Sequence, residues 1–105
     1  MNKENILIGI KLRKLRKFVM LSQNELANAI DISQALYSQI ENGNRRCTDK
    51  NLEKICKFYN ISTLDFKLMD IQELYEQIWM TIKNTKRVKV PYTDLSGNVY
   101  KLTLN

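Results

Sequence analysis

The stretch that most restricts what this 105-residue chain can become is residues 22–43, SQNELANAIDISQALYSQIENG. Ser22 is placed to cap a helix starting at Gln23, and Glu25, three positions on, supplies the reciprocal partner of a capping box. Leu26, Ala27 and Ile30 recur at helical spacing, and Ala27 is small enough for a second helix to approach closely. Asp31 and Ile32 break that pattern. Ser33 can then cap a second helix with Tyr37 and Ile40 inward and Gln34, Ala35, Ser38 and Gln39 outward. The order Leu36-Tyr37 leaves the facing of those two residues open. Asn42 and Gly43 end the helix, because both tolerate the left-handed backbone that closes one. Two short helices across a tight turn are expected.

The flanks extend the pattern. Ile8, Leu12, Leu15 and Val19 form an apolar stripe on a first helix whose other surface carries Lys11, Arg13, Lys14 and Lys17. Thr48 caps a helix with Leu52, Ile55, Cys56 and Tyr59 at i, i+3, i+4 and i+7, and Ser62 caps a short fifth helix holding Leu64, Phe66 and Leu68. Asp70 caps a sixth, from 71 to about 84, with Ile71, Leu74, Tyr75, Ile78, Trp79 and Ile82 on one broad face. From 88 to 104 the period changes to two, which predicts two strands with Tyr92 opposite Tyr100, Val90 opposite Leu102 and Val88 opposite Leu104. That register leaves Leu95-Ser96-Gly97 as a three-residue loop, and Pro91 confines its strand to an edge.

The run LSQNELANAIDIS followed by IENG resembles the helix-turn-helix of the phage repressor and Cro type, the XRE family, and the likeness extends from about Ile8 to Ser62. Asp31 and Met20 depart from it, standing where the family often has Gly. The resemblance implies a five-helix DNA-binding domain over residues 1–69; with the C-terminal helix and two-stranded β-hairpin read from the residue pattern over 70–105, the expected fold is mainly α. It also implies double-stranded DNA as partner. Gln34 and Gln39 match positions that approach bases, where glutamine can bond adenine in the major groove, and Ala35 can meet a thymine methyl. Gln23, Ser33, Ser38, Asn42, Asn44, Arg45 and Arg46 are expected on phosphate or bridging water. Arg16 is expected to pair with Glu41 as scaffold, as the family's arginine does at that position.

Composition agrees with this but would not produce it. A formal charge of +6 and a pI near 9.4 suit a polyanionic partner, as they suit many basic proteins that bind none. The basic surface of the first helix and the cluster Lys83, Lys86, Arg87 and Lys89 could lengthen a phosphate footprint or simply be solvated. With no histidine and only Cys47 and Cys56, a metal site lacks ligands, and no cofactor is expected. Cys56 belongs on an apolar stripe, whereas Cys47 is expected as an exposed thiol. No phosphate-cradling glycine loop or nucleophile-base set points to an enzyme. No run spans a bilayer and the first residues do not read as a signal peptide, so a cytoplasmic protein is expected.

The apolar face of the sixth helix and the hairpin needs cover from the chain's own core or from another subunit. A homodimer is expected, with Leu74, Tyr75, Ile78 and Trp79 at the contact, because one such domain has little area with which to hold DNA. The expected product is a dimeric repressor on a palindromic operator. The alternative is an antitoxin-type protein whose tail binds a partner toxin, and a restriction-modification controller would share the same DNA module.

Overall fold

The computed structural model describes the backbone of residues 2–85, 88–93 and 99–102 and the side chains of residues 2–81. Six helices follow in order among these: α1 (Lys3–Phe18), α2 (Gln23–Ala29), α3 (Gln34–Glu41), α4 (Asp49–Tyr59), α5 (Thr63–Leu68) and α6 (Ile71–Thr85). Each begins where a side-chain oxygen can take an orphan N–H. Asn2, Ser22, Ser33, Thr48 and Ser62 cap α1 to α5, the Ser22–Glu25 capping box is complete, and Asp70 Oδ1 accepts from Glu73 N–H at 2.9 Å.

The helix ends are equally local. After α1, Met20 N–H donates to Lys17 O and Leu21 N–H to Arg16 O, the paired bonds of a Schellman closure. The same pair of bonds follows α2 through Asp31 and Ile32, and follows α3 through Gly43 and Asn44. Such a closure needs a left-handed residue, and Met20 (φ 62°), Asp31 (φ 59°) and Gly43 (φ 78°) occupy that region. Only Gly43 adopts it without steric cost.

One core joins all six helices. Leu12, Leu15 and Val19 of the α1 stripe meet Leu26 and Ala27 of α2, Tyr37 and Ile40 of α3, Ile55 and Cys56 of α4, and Phe66 of α5. Leu74 and Ile78 of α6 are buried in the same cluster, and Tyr75 stacks on Phe18 with ring centroids 4.2 Å apart. Tyr37 is the inward residue of its pair, fully buried, while Leu36 is half-buried. Gly9 lets α1 touch the end of α3, since a Cβ there would run into the Glu41 carbonyl oxygen.

Two expectations are corrected. Cys47 is not an exposed thiol: it is 7% exposed, and burial pushes its pKa up to about 11. The fold class is also corrected, because the described chain is a bundle of six helices whose tail does not form the regular two-stranded hairpin predicted from period-two spacing. Backbone runs Val88–Thr93 and Val99–Leu102 lie antiparallel with Tyr92 opposite Tyr100 as expected, but Val88 falls opposite Leu102 rather than Leu104, and the ladder is interrupted between Val88 and Tyr92. Pro91, with no N–H to donate, lies inside the interruption. The predicted loop 95–97, Leu104, the side chain of Ile82 and those of Lys83, Lys86, Arg87 and Lys89 lie outside the described residues.

Candidate nucleic-acid interface

The site is built around one buried carboxylate. Glu41, in the last turn of α3, is 3% exposed and would be costly there without compensation. Arg16 of α1 grips it with both ends of its fork, Nε to Oε2 at 2.9 Å and Nη2 to Oε1 at 2.7 Å. Arg16 Nη1 also donates to Leu21 O at 2.8 Å, so the same guanidinium fixes the turn between α1 and α2. Arg13 Nε and Gln23 Nε2 add donations to Glu41 Oε1 at 3.1 and 3.2 Å. Burial pushes the Glu41 pKa up, but the hydrogen bonds from Arg16, Gln23 and Arg13 outweigh it and hold it at about 2. The carboxylate therefore stays ionised and ties α1, α2 and α3 together.

That clamp fixes the inner side of α3 and leaves its outer side to solvent. Gln34, Ala35 and Gln39 are exposed, and Ser38 is half-buried. Ser33 is exposed, its Oγ occupied as a cap by Leu36 N–H at 3.1 Å. Beyond the helix, Asn42, Asn44, Arg45 and Arg46 are all exposed. Asn42 Oδ1 accepts from Arg13 Nη2 at 2.8 Å, and Arg45 Nη1 donates to Gln39 Oε1 at 3.3 Å. The structure thus brings Gln23, Arg16 and Glu41 into one cluster, and gathers Gln34, Ala35 and Gln39 on the free face of a helix that the cluster anchors.

Of the residues expected at a subunit contact, Leu74 and Ile78 are taken up by the chain's own core. Tyr75 and Trp79 are half-buried and pack against that core from the side. Two cations read as surface charge have structural work instead. Arg13 joins the Glu41 cluster; it lies one turn before Arg16, and that i, i+3 spacing was the available signal. Lys11 Nζ donates to the Phe66 and Met69 carbonyls at the end of α5 and sits 5.1 Å from the Phe66 ring centre. Burial lowers its pKa, with Asp70 opposing. Nothing in the sequence indicated a partner 55 residues away.

An exposed polar helix set across a turn from a capped one, with its end clamped to the first helix, defines a helix-turn-helix module. Residues 12–66 match the family profile described as helix-turn-helix. Control protein C.MunI from a Mycoplasma species is 45% identical over 74 residues, which cover 70% of this chain and 99% of that relative. The crystal structure of the restriction-modification controller protein C.AhdI from Aeromonas hydrophila superposes with a TM-score of 0.59 at 25% identity, covering 62% of this chain and 98% of that one. The chain belongs to the XRE-type helix-turn-helix family. It is a DNA-binding transcriptional regulator, and the family profile ends at residue 66, before α6. Among the described residues no helix is long and apolar enough to cross a membrane.

Proposed function

We propose that this chain is a dimeric, sequence-specific regulator of the restriction-modification controller kind, which represses by occupying a palindromic operator. The observation that carries the reading is its identity of 45% with a control protein along 99% of that protein's length. In this reading residues 1–69 bear the DNA face, and 70–105 contribute to the subunit contact with Tyr75 and Trp79 at its edge. The outer side of α3 enters the major groove, where Gln34 bonds a base edge and Ala35 meets a thymine methyl.

Backbone contacts set the register. Gln23 spends one N–H of its amide on Glu41 and keeps the second for a phosphate, beside the free N–H groups at the start of α2. Ser33, Ser38, Asn42 and Asn44 serve phosphate or bridging water, and Arg45 and Arg46 bring positive charge to the same strand. A single module has too little contact area for tight reading, so two act together. Footprinting on the DNA upstream of its own gene, with light scattering on the free protein, tests this. The expected result is a dimer that protects two half-sites centred about 34–36 Å apart. A monomer that protects one half-site at saturation would overturn the dimer, and the absence of any preferred sequence would overturn operator recognition.

A further inference from the structure

Gln39 and Arg45 are brought together by the way α3 ends. Gly43 turns the chain back, with its N–H donating to Ile40 O at 3.1 Å and Asn44 N–H donating to Gln39 O at 2.9 Å. Arg45 follows at once, and its Nη1 reaches Gln39 Oε1 at 3.3 Å. A guanidinium has donors and no acceptor, so the amide must turn its oxygen toward Arg45 and its NH2 group away. Both side chains are exposed: Gln39 lies on the outer side of α3 that also carries Gln34 and Ala35, and Arg45 lies just beyond the helix's C-terminal end.

A lone glutamine reads adenine by giving one hydrogen bond to N7 and taking one from the N6 amino group. At Gln39 the acceptor is engaged. The second lone pair of Oε1 lies beside a positive charge, which disfavours an incoming amino hydrogen. The pair therefore offers donors only, from Nε2 and from the remaining guanidinium N–H groups. Guanine presents two acceptors in the major groove, N7 and O6, whereas adenine presents one acceptor and one donor.

We infer that Gln39 and Arg45 form a single composite reading head that selects guanine, with Arg45 a specificity-determining residue beyond any phosphate contact. The inference rests on the reading of α3 as the major-groove helix. Its test is selection of bound sites from a random double-stranded DNA library with the full chain, Gln39→Ala, Arg45→Ala and Gln34→Ala. The position served by the head is the one whose preference Gln39→Ala erases.

There the unaltered chain should favour guanine over adenine by about tenfold. Arg45→Ala frees the Gln39 oxygen, so guanine preference at that position should be lost and adenine should rise, with the other positions unchanged. If Arg45→Ala weakens all sequences equally and leaves every base preference intact, Arg45 serves phosphate alone and the inference is overturned. Adenine at the Gln39 position with the unaltered chain, or no position that responds to Gln39→Ala, overturns it as well. In each of those results a position that still responds to Gln34→Ala leaves the major-groove reading standing. A library with no enriched sequence overturns both.

Discussion

The two sides of α3 have opposite relations to the rest of the molecule. Its inner side, Tyr37, Ile40 and Glu41, is buried, with Glu41 clamped by Arg16, while its outer side carries Gln34, Ala35 and Gln39 in solvent. A helix of eight residues is not stable alone in water, so its conformation must come from the inner side. The outer side is then free of structural duty and can be matched to a DNA sequence. Substitutions should divide accordingly, with inner changes costing stability and outer changes altering base preference.

The sharpest way to break that division is Glu41→Gln. It keeps the side chain's shape but leaves Arg16 facing a neutral amide in a nearly closed site, which should cost about 3–5 kcal/mol of folding stability by urea titration. A loss below about 1 kcal/mol would show that the clamp does not hold the inner side.

Acid tests the same group without mutation. Glu41 keeps its charge in the fold down to about 2, whereas the unfolded chain's carboxyl takes a proton near 4.5, so between those values the unfolded state binds more protons. Its stabilisation is complete above about 4.5 and declines as pH falls toward 2. Thermal midpoints across that range should fall for the natural chain and lose this component in Glu41→Gln.

A smaller effect is expected away from both sides of α3. Met20 holds a left-handed conformation at the end of α1 and is 49% exposed, so Met20→Gly removes strain with little packing to lose. Stability should rise by about 0.5–1 kcal/mol, read as a higher thermal midpoint with unchanged DNA preference. A lower midpoint would mean that the Met20 side chain packs more tightly than its exposure indicates.

What could be read in advance was local. The caps at Ser22, Ser33, Thr48, Ser62 and Asp70 depend on residues three positions away, and all six helices begin beside the expected residue or, for α1, beside Asn2. The facing of Leu36 and Tyr37 was not legible, because it depends on how α1 and α2 pack on α3. Arg13 and Lys11 looked like solvated charge because their partners lie 28 and 55 residues away in sequence. Cys47 stands in a polar stretch whose neighbours gave no sign of burial. In the tail, period-two spacing placed Tyr92 opposite Tyr100 correctly but could not foresee the shift at Val88, where the ladder is interrupted across Pro91.

In the proposed function the outer side of α3 reads bases while the inner side only holds it. Selection of binding sites with Gln34→Ala, paired with a thermal melt of the free variant, tests this most directly. An unchanged midpoint and a relaxed preference at one base pair per half-site, worth about 1–3 kcal/mol there, are expected. Identical base preferences before and after the substitution would contradict it.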